Sequence, residues 1–101
     1  MSISAMQSAD GTTLTIKMVE KFDFNVHVQL RATYRGEGKR FSGYVVDLQD
    51  TTYMDSSALG MLLQLKEFAG GGAQSVRIRN AGTNIKGILQ IANFQKLMTI
   101  E

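Results

Sequence analysis

Apolar and polar residues alternate at the start of the chain in the manner of paired β-strands. Leu14, Ile16 and Met18 are separated by single polar residues, which is the period of two of a half-buried strand. Residues 2–7 form a plausible strand before them, and Asp10-Gly11 between the two is a strong turn signal because both residue types tolerate positive φ. The pattern therefore predicts that a β-hairpin opens the domain.

A helix-like period replaces the alternation after residue 24. Apolar residues recur at four-residue intervals across residues 25–35, at Val26, Leu30 and Tyr34. This spacing predicts an amphipathic helix, although its β-branched residues make it an intrinsically weak helix former. Either Gly36 or Gly38 is a suitable terminator in the left-handed conformation.

The middle of the chain combines a buried strand with the most apolar helix. Residues 44–48 (YVVDL) are β-prone apart from one aspartate and predict a central strand. Residues 55–69 predict a helix, with Leu59, Leu62, Leu63 and Phe68 among its apolar positions. Three glycines follow at 70–72; because no GK[ST] sequence comes after them, they indicate a helix terminator rather than a phosphate-binding loop.

Three shorter elements complete the pattern. Residues 75–79 (SVRIR) predict a strand, residues 83–92 a helix with Thr83 as its N-cap, and residues 97–100 a last strand. The order ββαβαβαβ implies one α/β domain over residues 1–101. Its sheet of about five strands is expected to be largely parallel or mixed, with right-handed helical connections and helices mainly on one face.

Composition narrows the classes of function. The 101 residues are 44% hydrophobic and 20% charged, as in ordinary globular proteins, and contain no cysteine, which excludes disulfides, thiolate metal sites and cysteine nucleophiles. The net charge is only +2 and the basic residues are scattered, so no concentrated nucleic-acid-binding face is expected. Because no signal sequence or membrane-spanning apolar run is present, we expect a cytoplasmic protein without direct membrane insertion.

The segment VVDLQDTTYMDSSALG, residues 45–60, carries the functional information. It leads from the buried strand to the apolar helix, where the carboxyl ends of parallel strands commonly build sites. Asp55 is well placed to be the N-cap of that helix, with Ser56 and Ser57 in its first turn.

This segment resembles the signature of the STAS domain of anti-sigma factor antagonists. In that family a strand ending in D-L leads to a D-S-[ST]-G-[LA]-G helix start, and the serine after the aspartate is the phosphorylation site. The resemblance places phosphorylation at Ser56, with Ser57 as the less favoured neighbour. Phe22-Asp23 matches the family's step before its first helix, whereas Ala58 replaces the commoner glycine.

The resemblance implies a protein-binding switch without a cofactor of its own. The unphosphorylated chain would sequester a serine kinase that doubles as an anti-sigma factor or similar antagonist, and a metal-dependent, PP2C-like phosphatase would reset Ser56. The expected partner-binding residues are Asp23, Tyr53, Met54, Asp55, Ser56, Ser57 and Leu59. A second reading in the same family is a non-phosphorylated interaction subunit of a membrane lipid transporter complex.

An enzyme is not expected from these residues. Ser56 as a nucleophile would need a base, and the single histidine, His27, lies in the first predicted helix, where it is interpreted as a surface or partly buried residue. Asp47 and Asp50 are interpreted as structural residues of the strand and loop. Met54 remains open between a flexible partner contact and a core-filling residue.

Overall fold

The predicted order of helices and strands is present in the structure, together with one additional strand pair. The structure is a computed structural model that describes residues 3–36, 40–72 and 74–101. In chain order its elements are β1 (Ser4–Gln7), β2 (Thr13–Lys17), β3 (Lys21–Phe22), α1 (His27–Arg35), β4 (Gly43–Asp47), β5 (Tyr53–Met54), α2 (Ser56–Phe68), β6 (Val76–Arg79), α3 (Thr83–Ile91) and β7 (Thr99–Ile100). Ser2, placed in the first strand by sequence, lies outside the described residues.

The opening hairpin is confirmed, and its turn is held by polar side chains. β1 pairs antiparallel with β2, and Gly11 takes the positive φ of 74° that the turn requires. The hydroxyl groups of Ser8 and Thr12 donate to Asp10 Oδ1 at 2.6 and 2.8 Å. These hydrogen bonds favour the carboxylate and lower the pKa of Asp10 to about 2.

A mixed five-stranded sheet forms the centre of the molecule. Its strand order is β1-β2-β4-β6-β7, and all pairs after the hairpin are parallel. The described residues thus form a small α/β domain in which α1, α2 and α3 alternate with the strands, as the pattern of the sequence predicts.

The two faces of this sheet differ sharply in burial. Ile16, Val46 and Ile78 share one row of the sheet register and are fully buried, so the helices cover their side. Lys17, Asp47 and Arg79 form a row on the opposite side, where Arg79 is exposed. The helices therefore gather on one face, as expected.

The helix boundaries correct two details of the sequence analysis. Gly36 follows α1 but has a φ of −50°, so it does not end the helix in the left-handed conformation, and Gly38 lies outside the described residues. Gly82, not Thr83, is the N-cap of α3, and a glycine has no side chain with which to cap the helix. By contrast Gly70 and Gly71, after α2, do adopt positive φ values of 110° and 83°.

The chain also departs from the predicted pattern before α1 and after α3. A 3₁₀ turn, Phe24–Val26, precedes α1, so the helix predicted from residue 25 begins as a tighter turn. Another 3₁₀ turn, Phe94–Lys96, shortens the last strand to two residues. The longest helix of the described ranges, α2, has 13 residues, so none of them has the length and apolar character to cross a membrane.

Candidate functional site

Two loops meet at the carboxyl ends of β2 and β4 and form a small ribbon there. β3 pairs in parallel with β5, with Lys21 opposite Tyr53 and Phe22 opposite Met54. The pairing is reinforced by Thr51, a buried residue whose hydroxyl group donates to the Val19 carbonyl oxygen at 2.8 Å. The ribbon therefore fixes the residues that follow its two strands beside each other.

Each strand of the ribbon leads directly into a helical turn capped by an aspartate. Asp23 follows β3 and caps the 3₁₀ turn, and Asp55 follows β5 and caps α2. Asp23 and Asp55 thus directly follow Phe22 and Met54, the last paired residues of the ribbon. The two capped helical turns therefore begin from neighbouring strands, which lie about 4.8 Å apart in a sheet.

Asp55 is the predicted N-cap of α2 and makes three hydrogen bonds. Its Oδ1 accepts from the Ser57 and Ala58 backbone N–H groups at 3.1 and 3.2 Å, and from the Ser57 hydroxyl group at 2.6 Å. The Ser57 hydroxyl group is the main cause of the lowered pKa of Asp55, because its hydrogen bond favours the ionised carboxylate. The helix therefore begins with a fixed negative charge.

The two serines of the first turn are in different situations. Ser57 is half-buried and its hydroxyl group is committed to Asp55. Ser56 is exposed, and within the described ranges its hydroxyl group makes no hydrogen bond to another residue. Of these two hydroxyl groups, only that of Ser56 is accessible without breaking a contact of the helix cap.

Asp23 builds a similar but weaker cap. Its Oδ1 accepts from the Asn25 N–H group at 2.9 Å. The next residue, Phe24, projects into solvent and stacks on His27, with ring centroids 5.1 Å apart and an angle of 9° between the planes. His27 is half-buried, in agreement with its interpretation as a helix residue at the surface.

The remaining predicted partner residues divide between surface and core. Tyr53 is 49% exposed, whereas Met54 is 5% exposed and belongs to the hydrophobic core. Leu59 is half-buried and packs against that core. The structure thus favours the core-filling role that the sequence left open for Met54.

Two exposed apolar residues of this region were not singled out from the sequence. Phe24 and Val28 lie at the start of α1 and are largely exposed. Apolar residues in an amphipathic pattern indicate a core face by default, which explains why neither attracts attention. The available signal is the repeated order strand, aspartate, helix start, which gives Phe24 the same position after Asp23 that Ser56 has after Asp55.

The arrangement offers an exposed surface rather than a pocket. Three clefts of the described surface lie elsewhere, between β1 and α1, between α1 and α2 near Phe68, and over the open sheet face. No group of three or more metal-ligating side chains occurs within residues 3–36, 40–72 and 74–101. Asp47 and Asp50 have structural partners, the Asn80 side chain at 3.1 Å and Lys17 at 3.6 Å.

Comparison with known proteins identifies relatives of the whole chain. Residues 5–99 match the family model described as "Mlab, STAS domain". A STAS-domain containing protein of Pseudomonas aeruginosa (strain UCBPP-PA14) is 44% identical over 100 residues, covering 99% of both chains.

Solved structures resemble the fold at low sequence identity. The anti-sigma factor antagonist SpoIIAA in its unphosphorylated form superposes with a TM-score of 0.77 at 16% identity, covering 99% of this chain and 88% of its own. The phosphorylated form of SpoIIAA, a Bacillus cell fate determinant, gives 0.65 at 17% identity, with coverages of 99% and 91%. The family model and the Pseudomonas relative together show that this chain belongs to the STAS-domain family.

Proposed function

We propose that the chain is an anti-sigma factor antagonist whose binding to partner proteins is controlled by phosphorylation of Ser56. The observation that carries the proposal is the difference between the two serines. The Ser56 hydroxyl group is exposed and makes no hydrogen bond to another described residue, whereas that of Ser57 donates to Asp55 at 2.6 Å. The likeness to SpoIIAA, an anti-sigma factor antagonist with unphosphorylated and phosphorylated structures, supports this choice of switch.

The cap geometry indicates how a phosphate on Ser56 acts. It adds about 1.5 to 2 negative charges at the helix N-terminus, which favours anions. However, Asp55 already accepts from two N–H groups of this turn, so these donors are occupied. The phosphate therefore faces outward beside the carboxylates of Asp55 and Asp23, and its main effect falls on a docked partner.

The proposed partners are a serine kinase that doubles as an anti-sigma factor, or a similar antagonist, and a PP2C-like phosphatase. The unphosphorylated chain binds and sequesters the kinase, and phosphorylation releases it. ATP and Mg²⁺ bind to the kinase, and this chain has no catalytic role in the exchange. We place the exchange in the cytoplasm. The other reading, a permanently bound STAS subunit of a membrane lipid transporter complex, requires no modification of Ser56.

Phosphorylation in vitro tests the proposal directly. The chain is incubated with Mg-ATP and, in turn, with each serine kinase whose gene neighbours the gene of this chain. The modified residue is then mapped by mass spectrometry. We expect phosphate on Ser56, none after Ser56→Ala, and retained modification after Ser57→Ala. Modification only at another residue would exclude the assignment, and a stable transporter complex that forms equally with Ser56→Ala and Ser56→Asp would favour the other reading.

A further inference from the structure

Exposed apolar side chains are concentrated around the two capped helix starts. Phe24 is 66% exposed and Val28 75%, and Tyr53 is half exposed on the strand that leads to Asp55. The other large apolar side chains exposed in the described ranges are Met6, Leu63 and Ile91. Apolar side chains that cluster on a soluble domain commonly mark an interaction site, whereas single ones do not. We define Phe24, Val28 and Tyr53 as the apolar patch.

The position of Phe24 ties this patch to Ser56. Phe24 and Ser56 each lie two residues after a paired position of the ribbon, Phe22 and Met54, so both follow aspartate caps that leave neighbouring strands. A kinase must bring its active site into bonding distance of the Ser56 hydroxyl oxygen, and a standard interface covers about 800 Å² on each partner. A kinase footprint centred on Ser56 is therefore expected to reach Phe24, and aromatic residues are enriched in such interfaces.

The local structure also holds Phe24 ready for binding. Its ring is stacked on His27, and its backbone follows the Asp23 cap. An aromatic ring that is already ordered loses little conformational entropy when it enters a partner's pocket. The Phe24 ring is thus held in place while it remains exposed to a partner.

Resting on the proposed function, we infer that Phe24, supported by Val28 and Tyr53, is the apolar anchor by which the Ser56 kinase holds this chain. The occupant of the patch is thus a kinase surface that carries an apolar pocket beside the active site. Affinity in the unphosphorylated state comes mainly from this anchor, and the phosphate on the adjacent Ser56 opposes the same docking geometry.

The test uses the purified kinase that modifies Ser56. We expect Phe24→Ala to weaken binding by at least about tenfold in titration calorimetry and to raise the KM for this chain similarly. Phe24→Tyr, which keeps the ring, is expected to restore most of the affinity. Met6→Ala and Ile91→Ala are matched controls, because these side chains are 74% and 87% exposed on β1 and at the end of α3. Neither control is expected to change binding.

The outcomes separate the anchor from the switch. If Phe24→Ala keeps wild-type affinity and KM while Ser56 is still phosphorylated, Phe24 does not anchor the kinase, and the proposed function stands. Equal losses in Met6→Ala and Ile91→Ala would also overturn the anchor. If no neighbouring kinase modifies the wild-type chain at Ser56, the proposed function fails and the inference fails with it. Circular dichroism of every variant checks that the helices are intact. Should Phe24→Ala perturb α1, Val28→Ala provides the same binding test of the apolar patch.

Discussion

The starts of α1 and α2 are both preceded by an aspartate cap, but they differ in how many hydrogen bonds and buried residues hold them in place. At Asp55 the carboxylate accepts three hydrogen bonds, and the helix behind it buries Ala58, Met61, Leu62 and Leu65. At Asp23 the side chain accepts one hydrogen bond, the following 3₁₀ turn buries no residue, and α1 buries only Leu30 and Tyr34. The comparison indicates that the rigid α2 start presents a hydroxyl group, whereas the α1 start, with its weaker cap, presents exposed apolar side chains.

The largest effect that we expect is a loss of affinity for the antagonist when Ser56 is phosphorylated. The phosphate on Ser56 adds charge and bulk at the rigid start, so we expect antagonist binding to fall by tenfold or more, equivalent to about 1.4 kcal/mol or more. The melting temperature should change little, because attraction by the helix N-terminus and repulsion by nearby carboxylates oppose each other. Titrations and thermal melts of both forms measure these effects.

A folding switch would give a different result from a surface switch. If the phosphorylated chain melted far below the unmodified chain or lost its helical circular dichroism signal, the phosphate would act through unfolding of α2. Ser56→Ala is the control, and it should bind the antagonist and melt as the wild type does, because the Asp55 cap remains intact.

Removing the two caps should affect stability unequally. We expect Asp55→Ala to lower the melting temperature by roughly 4 to 8 °C, because two backbone N–H groups and the Ser57 hydroxyl group lose their acceptor. Asp23→Ala should cost less, since one N–H group is affected and the turn behind it is not packed in the core. Asp50→Ala is a suitable control, because its exposed ion pair with Lys17 contributes little. A larger loss of melting temperature for Asp23→Ala than for Asp55→Ala would contradict the proposal that the Asp55 cap is the stronger of the two.

The sequence predicts the start of α2 far better than the start of α1. Asp55, the two serines and the apolar helix behind them form a pattern in which the cap, the period and the terminating glycines agree. α1 carries β-branched residues and begins as a 3₁₀ turn, so its pattern predicts a helix but not how that helix begins. The α/β fold with a largely parallel or mixed sheet follows from the strand and helix order, which survives such local differences, whereas the STAS family is indicated by the resemblance of residues 45–60.

Other features depend on pairing that sequence does not display. β3 and β5 contain two residues each, too few for a hydrophobic period to be recognised, although they bring Asp23 beside Asp55. The burial of Met54 likewise follows from the side of this ribbon that its side chain occupies, whereas Phe24 lies after the ribbon, in the 3₁₀ turn that begins at the Asp23 cap. The residue type of Thr83 predicts an N-cap, but the backbone places Gly82 at that position.

The smallest expected effect concerns the charge that begins α2. The pKa of Asp55 is lowered mainly by the Ser57 hydroxyl group, so the folded state binds its proton less readily than the unfolded state does. The resulting stabilisation is complete above the unfolded-state pKa of about 3.9 and is lost as the pH falls through the lower folded-state value. Ser57→Ala should therefore raise the pKa of Asp55 towards the ordinary aspartate value and weaken the loss of stability on acidification.

Carboxyl-carbon NMR titrations of the folded protein measure this pKa residue by residue. Ser56→Ala is the matched control, because that hydroxyl group makes no hydrogen bond to Asp55 within the described residues, and it should leave the Asp55 midpoint unchanged. Asp10 is an internal reference, since Ser8 and Thr12 lower its pKa to about 2 at the distant hairpin. An Asp55 midpoint that moves equally in both serine variants, or only in Ser56→Ala, would show that Ser57 does not hold the cap and would remove the physical distinction between the two hydroxyl groups.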